Sequence, residues 1–362
     1  MTYINNFNIL NVSPIDGRYY KKTKCLNNYF SEYGLIKYRL LIEIKYLIYF
    51  IDIIKIKITN KQLKSINDII NNFNHHEAII IKEYELKCNH DVKAIEYYIR
   101  EKLNEVDMSF LNCYIHFGLT SQDINNMAIT LSIKEFIYNI YVVKLKEIIT
   151  FIETKSINWK NIVMISKTHG QPAVPTTLGK EFKVFSYRLE KQLKLLNEIK
   201  YYGKFGGAVG NLNAHYFAYP TIKWDDEFKH FVNSFGLIRE KYTTQIDNYE
   251  NLSVIFDCLK RINTILIDFN SDIWGYISIN YFDQTYNDNE VGSSTMPQKI
   301  NPINFENSEG NLLLSNSLLV FMSNKLPISR FQRDLTDSTI LRNIGTILSL
   351  IHISEPTRLG MI

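Results

Sequence analysis

The feature that most constrains this chain is a long apolar stripe between residues 249 and 282. Apolar residues recur there every three or four positions, the spacing that places them on one face of an α-helix. A helix of this length cannot bury its apolar face alone, so it must pack against other helices. The stripe consists of Leu252, Ile255, Phe256, Leu259, Ile262, Leu266, Phe269 and Ile273.

Similar patterns cover much of the remaining chain. They predict helices over residues 29–58 and 60–73, with a break at Thr59–Asn60, and over 91–104, 177–200 and 304–323. Thr120-Ser121-Gln122-Asp123 fits a capping box that opens another helix, whose stripe runs to Ile152. We therefore predict an all-α fold: a central long-helix bundle over residues 113–347 and a smaller N-terminal helical domain over 1–112. Wide apolar faces on long helices favour packing against other subunits, so we expect an oligomer.

The end of the sequence departs from this pattern. The helical pattern continues through LRNIGTIL but is lost in LSLIHISEPTRLGMI. We expect residues 348–362 to be a non-native tail, produced by a frameshift or by read-through into sequence outside the gene.

Composition excludes several classes of protein. Charged residues make up 22% of the chain and the net charge is +4, which is too small and too scattered for a nucleic-acid binder but suits an anionic small substrate. The most apolar early segment, residues 40–58, is interrupted by charges, so we expect no membrane span. Histidine spacing gives no support for a metal site. The cysteines form no CxxC pair, which favours reduced thiols and a cytoplasmic location. They are Cys25, Cys88, Cys113 and Cys258.

Several short polar segments interrupt the helical pattern. SPIDGRYY offers Arg18 and Tyr19 after a turn, and NHD, residues 89–91, stands at a predicted helix start, where free N–H groups favour anions. Read alone, the first could be a surface turn and the second a simple helix cap. Thr120 and Ser121 could both cap their helix and bind a ligand carboxylate.

Two further segments carry cations or glycines. SRFQRDLTDSTILRN supplies Arg333, Ser338 and Arg342, which suit phosphate and carboxylates, although a solvated helix face would look the same. GKFGGAVGN, from Gly203, follows a predicted helix with no strand before it. We interpret it as a close-packed turn, not as a dinucleotide-binding loop.

The remaining two segments could carry proton transfer. In SKTHGQPAVPTT the prolines exclude regular helix and hold His169 on an extended loop, where it is a candidate acid or base, the alternative being a structural loop histidine. GSSTMPQKINP combines a flexible glycine with Ser293 and Ser294, while prolines stiffen its far end. Such a loop can close over a substrate and direct N–H groups at a developing oxyanion, with Lys299 nearby.

Taken together, these segments resemble a known family. GSSTMPQKINP is similar to the GSSxMPxKxNP signature of the fumarase/aspartase superfamily, and THGQPAVPTT to the THGQPAxP motif of its adenylosuccinate and argininosuccinate lyases. NHDVKAIEYY, HFGLTSQDINN, YTTQI, NPINFENSEGN and SRFQRDLTDSTILRN resemble the adenylosuccinate lyases of the bacterial purine pathway. The resemblance covers residues 13 to about 345.

The resemblance implies a fumarase/aspartase-like fold, a homotetramer whose active sites combine segments from three subunits, and no cofactor. The implied reaction is an anti β-elimination that releases fumarate from adenylosuccinate, giving AMP, and from the succinylated carboxamide ribotide of purine synthesis. Ser293 would be the base that removes the Cβ proton, and His169 the acid that protonates the departing nitrogen. Substrate-binding positions carried over from the family are Arg18, Tyr19, Asn89, His90, Asp91, Thr120, Ser121, Gln245, Lys299, Asn301, Arg333, Ser338 and Arg342.

The sequence departs from the family pattern in two places. Gln298 replaces the histidine that is usual in MPHKxNP and matches the argininosuccinate branch. Family members also continue past residue 362 into a small helical C-terminal domain, which we expect to be missing here. Argininosuccinate lyase and a truncated, inactive helical oligomer therefore remain as alternatives.

Overall fold

The computed structural model describes residues 10–284, 296 and 300–354. Within these ranges the chain is mostly helical, as predicted. The early helices are α1 Tyr20–Thr23, α2 Asn27–Phe30, α3 Glu32–Ile53, α4 Asn60–Asn71, α5 His75–Cys88 and α6 Asp91–Asn104. The later helices are α7 Ser121–Phe136, α8 Val142–Asn158, α9 Leu178–Glu198, α10 Asn213–Ala218, α11 Trp224–Asn233, α12 Glu250–Ser278, α13 Ile303–Lys325, α14 Thr336–Leu341 and α15 Ile344–Ser354. Short 3₁₀ turns cover Lys24–Leu26 and Ser109–Tyr114.

The break between the first two predicted helices lies where expected. Thr59 and Gln62 form a capping box: the Thr59 amide donates to Gln62 Oε1 at 2.8 Å, and the Gln62 amide donates to Thr59 Oγ1 at 3.2 Å. The preceding helix, however, ends at Ile53 and not at residue 58. Lys55 adopts a left-handed φ of 62°, and the Ile56 amide donates back to Ile51 O at 2.8 Å. This is a Schellman cap in which Lys55 takes the left-handed position that glycine usually occupies.

The long helices pack as a bundle. α12 packs on α13 and on α9, and α9 packs on α8. α7 and α8 form one continuous rod, joined by a wide π turn at Ile137–Tyr141. One large apolar core fills this bundle, includes the predicted stripe of α12 and extends to α3 and α11. A second apolar cluster is built only from buried residues between 36 and 115. The domain boundary near residue 112 stays a prediction.

The segment around His169, predicted to be an extended loop, forms a β-hairpin. Strands β1 Val163–Thr168 and β2 Gln171–Thr177 pair antiparallel, with Thr168 opposite Gln171. The two residues between them, His169 and Gly170, both have positive φ, 54° and 73°. Two such residues form the tight hairpin turn whose twist matches paired strands. Two further strands of two residues each, β3 Tyr202–Gly203 and β4 Ile238–Arg239, pair in parallel.

The chain between residues 344 and 354 corrects another expectation. Helix α15 continues to Ser354, and Leu348 and Ile351 are buried in the main core. The helical pattern therefore does not end at residue 347: with polar residues rare in this segment, its packing face could not be read from periodicity. Whether residues 348–362 are foreign to the gene stays a prediction.

Candidate active site

A cavity of about 700 Å³ opens where the N-terminal helices meet the start of α7 and the α14 region. This volume is within the usual range for small-molecule sites. It gathers most of the predicted substrate-binding residues: Asn89, His90, Asp91, Thr120, Ser121, Gln245, Arg333, Ser338 and Arg342 all line it. These residues come from segments up to 253 positions apart, as Asn89 and Arg342 show.

Two helix N-termini face this cavity. Asn89 ends α5 in a left-handed conformation, with φ of 51°, and His90 caps α6 through its Nδ1, which accepts from the Lys93 amide at 3.1 Å. Thr120 and Ser121 begin α7, and Ser121 Oγ lies 3.5 Å from His90 Nε2. The free N–H groups and the positive dipole end of a helix favour an anion, so two such ends make this a suitable place for one.

The start of α7 is held from behind by a buried carboxylate. The capping box predicted here is present, since Asp123 Oδ2 accepts from the Thr120 amide at 2.8 Å. Asp123 Oδ1 also accepts from Lys204 Nζ at 2.6 Å and from the Gly206 amide at 2.8 Å. Asp123 and Lys204 have side chains with 0% exposure. The glycine-rich segment is thus a packed turn, as predicted, although it starts in the two-residue strand β3.

The cationic side of the cavity comes from the α14 region. Arg333 donates to Ser338 Oγ at 3.3 Å. The Gln122 side chain lies against both groups. In the amide orientation that satisfies its neighbours, its oxygen accepts from Ser338 Oγ at 3.1 Å and from Arg333 at 3.2 Å. Arg342 donates to Asp91 Oδ2 at 2.9 Å. Guanidinium groups with hydroxyls beside them suit phosphate or carboxylate ligands.

Sequence reasoning missed several polar residues that line the cavity: Ser31, Glu32, Arg39, Glu85, Gln122, Asn125 and Ser132. Arg39 is 4% exposed and donates from Nε to Asn125 Oδ1 and from Nη2 to Asp91 Oδ2, both at 2.7 Å. A signal was available, because an arginine on the apolar face of a predicted helix needs a buried partner.

The remaining predicted residues that the structure describes do not line this cavity. Tyr19 donates to Asn307 Oδ1 at 2.9 Å, Arg18 is exposed and Asn301 is half-buried. His169 is exposed at the tip of the β1–β2 hairpin. Ser293 and Lys299 lie outside the described residues.

Three further features can be stated for the described residues. Cys25, Cys88, Cys113 and Cys258 form no disulfide bonds. In the described ranges no group of three or more His, Cys, Asp or Glu side chains is arranged to hold a metal ion. No described helix is both long and apolar enough to span a membrane.

Comparison with known proteins places the chain in a family. A family model described as lyase matches residues 33–314. The chain is 48% identical over 344 residues to the adenylosuccinate lyase of Buchnera aphidicola from Schizaphis graminum, covering 93% of this chain and 75% of that protein. It is 49% identical over 359 residues to that of Dictyostelium discoideum, covering 96% and 77%. It is 45% identical over 339 residues to that of Escherichia coli, covering 92% and 74%.

The chain belongs to the adenylosuccinate lyase family. Solved structures agree on the fold. A fumarate lyase from a Mesorhizobium species superposes with a TM-score of 0.73 at 15% identity, covering 92% of this chain and 72% of that one. The β-carboxy-cis,cis-muconate cycloisomerase of Acinetobacter calcoaceticus gives a TM-score of 0.71 at 15% identity, covering 92% and 73%. The resemblance noted in the sequence is confirmed, and nothing in these relatives favours the argininosuccinate alternative.

Proposed function

We propose that this protein is a lyase that eliminates fumarate from adenylosuccinate, giving AMP, and from the succinylated aminoimidazole carboxamide ribotide. The observation that carries the proposal is the cavity in which two helix N-termini face Arg333 and Arg342. A substrate with one phosphate and two carboxylates needs such a concentration of N–H donors and guanidinium groups. Identity of 45–49% to adenylosuccinate lyases selects this substrate class.

The elimination needs a base and an acid on opposite sides of the substrate. In the proposed mechanism, Ser293 removes the Cβ proton of the succinyl group, and the electron pair is delocalised into the adjacent carboxylate. Lys299 and Asn301 stabilise the resulting aci-carboxylate. The electrons then form the C=C bond of fumarate while the C–N bond breaks, and His169 protonates the departing nitrogen.

The position of His169 supports a site shared between chains. Its hairpin tip is exposed and is not part of the cavity lining. In this proposal the acid comes from a neighbouring copy of the chain, in a homotetramer with shared sites. Long helices of the bundle leave large apolar side chains exposed that such copies could cover, among them Val184, Leu195, Leu313, Leu314 and Phe321.

Fumarate release tests the proposal. The purified 362-residue chain is given adenylosuccinate and argininosuccinate separately, and fumarate is followed by its absorbance. We expect turnover of adenylosuccinate only, abolished by Ser293→Ala and retained by Gln298→His. Turnover of argininosuccinate alone would assign the chain to the other branch. No turnover of either substrate by a folded oligomer would support the inactive alternative.

A further inference from the structure

The floor of the cavity contains a carboxylate shared between two arginines. Asp91 Oδ2 accepts from Arg39 Nη2 at 2.7 Å and from Arg342 Nη2 at 2.9 Å. The other oxygen, Oδ1, accepts from the Val92 amide at 2.9 Å. One carboxylate oxygen thus serves two guanidinium groups, and the two are not equivalent.

The arginines differ in burial and in their other contacts. The Arg39 side chain is 5% exposed, and a second bond to Asn125 fixes it between α3, α6 and α7. The Arg342 side chain is 51% exposed and follows the short helix α14. Since separating a buried ion pair leaves an uncompensated charge, Arg39 must stay on Asp91. A half-exposed pair is held far more weakly, so Arg342 can leave.

We propose that Arg39 is a positioning residue: by neutralising Asp91 from beneath, it leaves Arg342 free to turn toward an anionic group of the substrate. The inference rests on the proposed function for the identity of that substrate. Without Arg39, Asp91 would have Arg342 as its only guanidinium partner, and a ligand anion would have to compete with a buried carboxylate for Arg342.

Charges around Asp91 give this role a pH signature. Arg39 from α3, Arg342 from the end of α14 and His90 from the cap of α6 all face Asp91, and Glu32 faces Arg39. Burial alone would raise the pKa of Asp91, but Arg39, the Val92 amide and Arg342 outweigh it and lower that pKa. Loss of Arg39 removes the strongest of these opposing charges, so Asp91 would take up a proton at higher pH and release Arg342.

The test uses AMP binding to the full chain, measured by calorimetry between pH 8 and pH 5. For Arg39→Met we expect roughly tenfold weaker AMP binding at pH 8 and recovery toward the wild-type value as pH falls. Taking the ratio of variant to wild-type Kd at each pH cancels the ionisation of the ligand itself. With adenylosuccinate, KM should rise by a similar factor while kcat changes less than about threefold.

Two further variants separate charge from structure. Arg39→Lys gives up the bond to Asn125 but keeps a cation on Asp91, so we expect AMP affinity within about threefold of wild type, with no pH dependence of the ratio. Lys102→Met removes a cation that pairs with Glu77 and Glu105 in the same helical region. It should change neither the AMP affinity nor the pH dependence of the Kd ratio. Thermal melting identifies variants that do not fold. If Arg39→Met does not fold, the AMP affinity of Arg39→Lys is the measurement that tests the inference.

The outcomes that overturn the inference are distinct from failure of the proposed function. A folded Arg39→Met variant with unchanged Kd, or with a pH-independent loss, would show that Arg39 does not act through Asp91. Roughly tenfold weaker binding by Arg39→Lys would do the same. Wild-type protein that binds AMP but releases no fumarate from adenylosuccinate would refute the proposed reaction and leave the AMP test of Arg39 intact.

Discussion

At the scale of single residues, buried charged side chains differ in whether an opposite charge balances them. Lys204 and Asp123 are both fully buried and balance each other, while two amides of the glycine-rich turn and one at the start of α7 complete the hydrogen bonding of the carboxylate. Among the described residues, no cation forms an ion pair with Asp247. Asp247 is 6% exposed, and its Oδ2 accepts from the Tyr249 amide at 3.2 Å.

This difference sets a pH dependence of stability. Burial, with Glu240 nearby, raises the pKa of Asp247 to about 7, above its ordinary value of 3.8. A carboxyl whose pKa is higher in the folded state binds more protons when folded between these two values. The contribution of Asp247 to the free energy of unfolding therefore falls as pH rises from about 4 to 7 and is level above that range.

Asp247→Asn should remove the loss of stability that ionisation of Asp247 causes at higher pH. The amide oxygen can still accept from the Tyr249 amide, and no buried charge forms at high pH. We expect the variant to be more stable than wild type at pH 8 by about 1–3 kcal/mol, with the advantage disappearing near pH 4. Urea unfolding at several pH values measures it. A difference that is constant with pH would mean that Asp247 does not titrate in this range.

At the scale of elements, the β1–β2 hairpin presents His169. Both turn residues need positive φ, which glycine adopts freely and which asparagine tolerates better than most other residues. Histidine is also among the residues that tolerate positive φ, so the turn accepts His169 without requiring it. The exposed side chain at the hairpin tip is therefore available for the proposed chemical role.

His169→Asn separates these two roles. We expect an unchanged melting temperature, because the turn keeps a residue suited to positive φ. Turnover of adenylosuccinate should fall by roughly 10²–10⁴-fold, the usual contribution of a positioned general acid. Fumarate release and thermal melting on the same sample are the measurements. Retention of most of the activity would refute His169 as the acid.

At the scale of the whole molecule, the proposed acid lies apart from the anion-binding cavity. The cavity contains the anion-binding groups, but the hairpin that carries His169 does not line it. If His169 and Ser293 of each site come from different subunits, two inactive variants should restore one another. Such complementation requires mixed oligomers, which form only when subunits of the two variants exchange.

A mixing experiment measures this. His169→Asn and Ser293→Ala are unfolded together in equal amounts and refolded, so that subunits combine at random. With each residue drawn from a different chain, about a quarter of the sites contain both wild-type residues, so activity should return to about a quarter of the wild-type value. Each variant refolded alone is the control. No recovery in a mixed oligomer would place both residues on one chain.

The sequence alone determined the class of fold, the family and nine of the residues that line the cavity. Apolar stripes with a helical period require long packed helices, and motifs such as NHD and TSQD mark helix starts, where anion-binding amides are free. These are local properties, because a helix start and its cap depend on neighbouring residues. The capping boxes at Thr59 and Thr120 were therefore predictable.

Tertiary structure decided what depends on contacts distant in sequence. The Schellman end at Lys55, the hairpin around His169 and the buried end of α15 follow from packing that no local pattern announced. The partners of Arg39 could not be read from the sequence for the same reason. The meaning of Arg39 comes from Asp91 and Asn125, which are 52 and 86 positions away. A buried charge is tolerated only where the fold supplies its partner, and that partner is chosen by three-dimensional packing.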